Sequence, residues 1–407
     1  MSSSPLPAKA LSMPRLLFIF ITILIDKLGE SLIFPILPFL VERFRSDAFT
    51  LGLLASSFAI AQFIASPIIG GLSDRYGRRP ILLVCVLGTA VSYYLFGFAA
   101  SLWMLFFSRV VDGITGGVAA TAQAYIADIS SPEDRAKNFG LTGAAFGLGF
   151  TLGPALGGVL ANINLNLPVF VAGTIALLNF CLGWFVLPES LDKEHRRPFT
   201  RQDLNPISQL IDLLKNPRIQ GLLIAFFIFN FAFAGFSSIF VLFLNDRYGW
   251  GPSQAAAVFF FIGIVSTVVQ GGLIRSLLPR FGESKLAIGG LGLVAIAFGG
   301  IVLIPARGPI LVPALYTTQA LLALGVGLII PSLRGLISNR VSDQEQGKTL
   351  GGNQALQSVA TILGPLWAGW VFDHSGVLSP FWTGAFFMLI AIGFTLMNLP
   401  RRLSVSS

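Results

Sequence analysis

Charge is scarce in this 407-residue chain: Asp, Glu, Lys and Arg make up 11% of it, against about 25% in an average soluble protein. So few charges cannot cover a water-facing surface of that size, which excludes a soluble enzyme. The apolar content of 54% excludes a disordered tail protein. Cysteine is scarcer still. Cys85 and Cys181 both lie in apolar stretches with no Cys-x-x-Cys spacing, which argues against a disulfide scaffold or a thiolate metal site. His195 and His374 stand apart in polar connections, so there is no histidine cluster to ligate a metal. No Gly-x-x-x-x-Gly-Lys-[Ser/Thr] loop occurs, which argues against ATP as the energy source. The glycine run at 143–153 lies in an apolar helix rather than after a strand, so it is no dinucleotide loop. No metal and no cofactor are expected.

What the chain has in abundance is apolar length. Its 37 Phe and 44 Gly suit packed apolar helices. A bilayer core is crossed by about 20 apolar residues. The sequence predicts twelve such spans, at 15–41, 50–72, 80–100, 102–127, 137–160, 165–187, 218–246, 252–277, 284–305, 309–337, 347–372 and 379–399. The expected fold class is therefore an all-α membrane protein, and an even count puts both termini on one side. Of the 27 Lys and Arg, only Arg43, Arg45, Arg247 and Arg307 fall on the opposite side, with Lys27 and Arg109 inside the membrane. The rest collect on the side of the termini, which is then cytoplasmic. The net charge of +8 reads as cytoplasmic loops facing anionic lipid rather than as nucleic-acid binding. No secretory cleavage pattern follows the first apolar run, so that run is expected to stay as a helix. Arg334, near the inner end of span ten, is expected to snorkel to the surface.

The longest connection, 188–217, divides the spans six and six. It is charged, contains Pro198, Pro206 and Pro217, and includes a short amphipathic stretch around Ile207–Leu214, which reads as a tether with an interfacial helix. The expected organisation is a tail at 1–14, a six-helix bundle at 15–187, the linker, a second bundle at 218–399 and a tail at 400–407. The halves echo one another. Phe39-Leu40-Val41-Glu42-Arg43-Phe44 returns as Phe243-Leu244-Asn245-Asp246-Arg247-Tyr248, and Gly153-Pro154 as Gly364-Pro365, in matching spans. Together these point to a duplicated six-helix unit, a transporter architecture.

The loop after span two reads Gly70-Gly71-Leu72-Ser73-Asp74-Arg75-Tyr76-Gly77-Arg78-Arg79. A positive-inside turn explains its glycines and arginines but not Asp74. The loop resembles the signature Gly-x-x-x-Asp-Arg-x-Gly-Arg-Arg of the major facilitator superfamily at every fixed position; its counterpart around Pro279-Arg280-Phe281-Gly282 is degenerate. The resemblance implies a two-bundle fold in which Asp74 and Arg78 join Asp128, at the end of span four, to latch the cytoplasmic side shut. Buried charges in such a place must be paired. In span five, Gly149, Gly153 and Gly157 make a smooth face at i, i+4 and i+8, with Pro154 adding a kink. The embedded Gly-Pro-x-x-Gly-Gly is similar to the antiporter signature of the same superfamily. Two further stretches, Asp26-Lys27-Leu28-Gly29 with Pro35-Ile36-Leu37-Pro38, and Arg109-Val110-Val111-Asp112-Gly113-Ile114-Thr115-Gly116 running on to Asp128, resemble tetracycline/proton antiporters and their drug/proton antiporter relatives. Those tetracycline exporters also carry acids in spans three and nine, where this chain offers Ser92 and no acid.

Asp26, Lys27 and Glu30 fall inside span one, and Arg109 and Asp112 inside span four. Ionisable groups at that depth cost at least ~2.5–3.5 kcal/mol each and face the protein interior. With a helical rise of about 1.5 Å per residue, Asp26 lies ~16 Å from the cytoplasmic end of its span and Glu30 ~22 Å. Counted from the outer end of span four, Arg109 lies ~10 Å in and Asp112 ~15 Å. Asp26 and Asp112 then meet near the midplane, and Glu30 is expected to pair with Arg109. Asp26 is the first candidate for the proton carrier and Asp112 the second. Gln123, Asn230, Gln270, Gln319, Asn353, Gln354 and Gln357 are candidates to line a cargo cavity, each also readable as a helix-packing hydrogen bond.

The resemblance implies a proton-coupled exporter of amphipathic small molecules in the bacterial inner membrane, multidrug or tetracycline-type, working as a monomer with protons, cargo and lipid as its partners. A proton symporter or facilitator for sugars or organic acids on the same fold is the alternative.

Overall fold

The computed structural model describes residues 8–196, 215–342 and 345–398. The stretch around Ile207–Leu214 and the outer parts of both tails lie outside the described residues. Among those described, the regular structure is helical throughout. The first helices are α1 (Ala8–Leu32), α2 (Leu37–Glu42), α3 (Ala48–Tyr76), α4 (Arg78–Gly97), α5 (Leu102–Thr115), α6 (Val118–Ile129), α7 (Pro132–Ala161) and α8 (Leu167–Val186). After the connection come α9 (Gln220–Tyr248), α10 (Pro252–Val268), a π turn at Val269–Leu273, α11 (Ile274–Leu303), α12 (Leu311–Ser338), α13 (Gln346–Ser375) and α14 (Ser379–Met397).

Ten helical runs among the described residues are long and apolar enough to cross a membrane. One of them, Pro252–Leu303, spans 52 residues and breaks at Gly282, whose φ of 73° and ψ of 162° no helix accommodates. Helix α1 carries Asp26, Lys27 and Glu30.

Two expected spans are each broken in the middle. Span one stops at Leu32 and restarts at Leu37, because Pro35 lacks an N–H and disfavours helical geometry in Phe34 before it. Span four stops at Thr115 and restarts at Val118, across the pair Gly116-Gly117, the residue type that loses most entropy in a helix.

The chain forms two compact units. One holds the described residues of Met1–Ser46, Leu54–Asn205 and Trp250–Phe260; the other holds those of Asp47–Leu53, Pro206–Gly249 and Phe261–Ser407. The boundaries differ from a clean split at the linker. Asp47–Leu53 belongs to the second unit, where the Asp373 carboxylate accepts the amides of Ala48 at 2.9 Å and Phe49 at 2.8 Å.

Helix pairing repeats between the units. In the first, α1 packs on α7 and α4 on α8; in the second, α9 packs on α13 and α11 on α14. Gly-Pro steps sit at both α1–α7 and α9–α13 contacts. A Cβ at Gly153 would strike Ser31 and the Leu28 carbonyl, and one at Gly364 would strike the Phe231 carbonyl. Both bends that follow the second span of a half use a glycine at positive φ, Gly77 at 110° and Gly282 at 73°.

Candidate functional site

Within the first unit, the buried charge of α1 meets that of α5. Lys27 sits between two acids on its own helix, with Nζ 3.2 Å from Asp26 Oδ2 and 2.6 Å from Glu30 Oε2. Its ammonium also lies 5.1 Å from the centroid of the Phe146 ring. Arg109 pairs with Asp112 one turn on, Nη2 to Oδ2 at 2.8 Å. The guanidinium is held between the rings of Phe58 and Phe96, 5.6 and 5.0 Å from their centroids. A cation over an aromatic face recovers part of the solvation that burial removes. The expected Glu30–Arg109 pair is therefore corrected: each basic side chain takes carboxylates of its own helix. Reach explains the change, since Lys27 is one residue from Asp26 and three from Glu30, while i, i+3 places Asp112 beside Arg109.

The acids nevertheless share a chamber. Asp26, Lys27, Glu30 and Asp112 line one cavity together with Phe58, Gln62, Thr89, Tyr93 and Gly116. The break at Gly116-Gly117 shapes its floor. It frees the Gly116 carbonyl, which accepts from Gln62 Nε2 at 3.2 Å. A side chain at Gly29 would collide with the Tyr93 hydroxyl, at 2.8 Å, so glycine there lets the ring close against α1. Asp26 also borders a second cavity, lined by Thr22, Thr89 and Asn179 among apolar neighbours. Gln62, Thr89 and Tyr93 escaped notice in the sequence because lone polar residues in apolar helices are common.

The seam of α7 lies behind this chamber. A Cβ at Gly149 would sit 2.8 Å from Lys27 Cβ and 2.9 Å from the Leu28 nitrogen, and one at Gly157 would strike the Leu32 carbonyl. The glycines thus bring the α7 backbone against the charged turn of α1, with Pro154 inside the same helix.

At the end of α3 and the start of α4, the loop residues gather around Arg78. Arg78 pairs with Asp74 through Nη1 and with Asp128 through Nε, the latter at 3.1 Å. Ser73 and Ser190 add hydroxyls to Arg78 and Asp128 at 3.0 Å each. Arg79 donates to the Trp184 carbonyl at 2.6 Å, and Arg75 lies over the Tyr76 ring. Around Gly70 there is open space. One member was missed: Glu189. Its Oε1 accepts the backbone amide of Arg78 at 2.8 Å and also those of Ser190 and Leu191 at 2.9 and 3.1 Å. It satisfies an orphan donor at the start of α4. A Cβ on Gly77 would collide with this carboxylate. No spacing in the sequence links Glu189 to the loop, since it arrives from the far end of α8.

The remaining candidates scatter. Gln123 is exposed on α6. Asn230 is buried and donates to its own helix at the Phe226 carbonyl, 2.7 Å away, the packing alternative. Gln270 is exposed on the π turn. Gln319 is fully buried, and neither of its amide atoms has a hydrogen-bond partner among the described residues. Asn353 is buried behind the exposed Gln354. Gln357 accepts from Arg334 Nη2 at 3.0 Å. Arg334 thus meets a neighbouring helix while its side chain stays exposed.

A duplicated all-helical unit, membrane-length helices and a paired charge cluster within one of them define a polytopic membrane transporter. The Major Facilitator Superfamily model matches residues 19–312 and 276–407, and the chain belongs to that family. Among characterised relatives, it is 36% identical to the tetracycline resistance protein of class C from Escherichia coli, covering 86% of this chain and 88% of that one. It is 30% identical to multidrug resistance protein 2 of Bacillus subtilis (strain 168), covering 96% of both. Among solved structures, the human organic anion transporter MFSD10 is 26% identical with a TM-score of 0.70, covering 94% of this chain and 98% of that one.

Proposed function

We propose that this chain is a proton-coupled antiporter that exports amphipathic small molecules, drugs among them, across the bacterial inner membrane. It acts as a monomer of twelve spans with both termini cytoplasmic. The twelve come from counting the two arms around Gly282 separately and adding α1. Export of drugs is carried over from the tetracycline and multidrug resistance relatives.

One observation carries the coupling. The cluster holds three acids, Asp26, Glu30 and Asp112, against two bases, Lys27 and Arg109. Ionised throughout, it is one positive charge short of neutral, and a buried net charge is costly. A proton supplies that charge, and so does a cationic group on the cargo. The two then exclude one another at the same carboxylates, which is the thermodynamic content of exchange. Asp26 is the carrier because Lys27 lies nearer Glu30, at 2.6 Å against 3.2 Å for Asp26, whereas Asp112 has Arg109 to itself. The Asp74–Arg78–Asp128 group ties the loop after α3 to the end of α6 and is the gate.

Everted membrane vesicles test this. With a preformed acid-inside gradient, tetracycline or ethidium added outside should collapse the gradient in vesicles with the wild-type chain. Asp26→Asn should abolish the response. Normal drug–proton exchange by that variant would overturn the assignment, and sugar-driven proton uptake would replace antiport with symport.

A further inference from the structure

The second unit carries a polar face that the charge cluster leaves unused. On α13, Gln354, Gln357, Ser358 and Thr361 fall at i, i+3, i+4 and i+7, one side of a helix. Gln354 and Thr361 are exposed, and Gln357 and Ser358 partly so. Exposed amides on a membrane-length helix face water, because lipid offers them no partner. Helix α12 has the complementary pattern. Between Thr318 and Ile330 no residue is exposed, and the helix opens at Pro331 and Arg334.

From that opening the Arg334 guanidinium reaches the α13 face at Gln357 and lies 6.0 Å from the centroid of the Phe226 ring on α9, which is fully buried. Arg334 is itself exposed, and its guanidinium meets an aromatic ring and a neutral amide with no counter-ion among the described residues. Its planar fork of N–H donors matches a carboxylate in shape as well as charge, and Gln357 occupies only part of it.

We propose that Arg334, with Gln357 as its support, holds an oxyanion of the cargo. The cargo class is then amphipathic molecules that carry a carboxylate, sulfonate or phosphate in addition to the group that displaces the proton. The proposal rests on the exporter reading and names its substrates more closely. A lipid headgroup offers the same chemistry, so the test separates the two.

Binding is measured in nanodiscs of phosphatidylcholine alone, with two probes matched in shape: N-acetyl-3-(1-naphthyl)alanine, which carries a carboxylate, and its uncharged methyl ester. The wild-type chain should bind the acid about tenfold more tightly than the ester, the ratio that one charge-assisted hydrogen bond supplies. Arg334→Gln should bring the ratio to about one by weakening the acid alone. Arg334→Lys should retain part of the preference, which separates loss of the fork from loss of the fold. A wild-type ratio near one, or a ratio unchanged in Arg334→Gln, overturns the proposal. So does phosphatidylglycerol in the nanodisc abolishing the acid's preference, for Arg334 then belongs to lipid. The probes carry no cation and the readout is binding rather than exchange, so this proposal and the coupling scheme fail separately: the ratio can be lost while drug–proton exchange in everted vesicles persists, and the reverse.

Discussion

The hydroxyl of Ser31 lies 2.8 Å from the Gly149 carbonyl oxygen on α7 and 2.8 Å from the Lys27 carbonyl oxygen of its own helix. It clips the glycine seam of α7 to the turn of α1 that carries Lys27 and Glu30. The glycines of α7 thus set the backbone position of the charged turn. They need no contact with cargo to matter, because any side chain there would push the charged turn away.

Gly149→Ala tests this. The added methyl meets Lys27 Cβ and the Leu28 nitrogen, and a backbone atom cannot yield by changing rotamer. Overpacking of that kind costs about 1–3 kcal/mol. The variant should melt at a lower temperature in detergent and exchange drug for protons more slowly. Gly147→Ala is the control. Nothing lies within 4 Å of a Cβ there, and alanine is the better helix former by up to about 1 kcal/mol, so its melting point should equal or exceed that of the parent.

The Arg109–Asp112 pair should behave as a unit. Arg109 is 7% exposed and Asp112 5%, so removing either charge strands the other in a dry site, at about 3–5 kcal/mol. Arg109→Gln and Asp112→Asn should each lower the melting temperature sharply. The double variant should lose less than either single one, because neither member of the pair is left without the other. Thermal unfolding of the four proteins gives the comparison, and additive losses would show that the two side chains do not depend on each other.

The parts of this site that could be read from sequence are those fixed by one helix or one contiguous loop. Asp26 and Glu30 one turn apart and the glycine row of α7 follow from helical period, while the Arg78–Asp74 pair came from the resemblance of one contiguous loop. Depth along the spans brought Asp26 and Asp112 to one level, and they line one cavity. Depth does not say which neighbour a flexible side chain chooses, and Lys27 reached Glu30 before Arg109 did. Breaks at Pro35 and Gly116-Gly117 were visible as residues, but a window of span length averages across them. Glu189 left no local trace, since it meets α4 only after α8 has packed on that helix.

Gly77 and Glu189 should prove coupled. Gly77 has a φ of 110°, a region costly for residues with a Cβ by about 1–3 kcal/mol. An alanine there would also collide with the Glu189 carboxylate. Glu189→Ala removes the acceptor at the start of α4, worth about 0.5–2 kcal/mol as a helix cap. Gly77→Ala should be the more damaging single change. In the double variant the collision is gone, so the combined loss should fall short of the two separate losses, and a double-mutant cycle on melting temperature measures the gap. A gap of zero would mean that the carboxylate moves aside without consequence.

Gln319 should show a cost borne for function. It is 0% exposed, and both amide atoms lack a hydrogen-bond partner among the described residues. A buried polar group left unsatisfied costs about 1–3 kcal/mol, while an apolar side chain of similar shape escapes that penalty. Gln319→Leu should therefore raise the melting temperature. Gln357→Leu should lower it, because that change takes the acceptor from Arg334. If the Gln319 amide is kept for cargo or for water that enters with it, Gln319→Leu should also slow export, so stability rises as transport falls. A fall in melting temperature would mean the amide is satisfied in the membrane. Unchanged export with a higher melting temperature would leave Gln319 without a transport role.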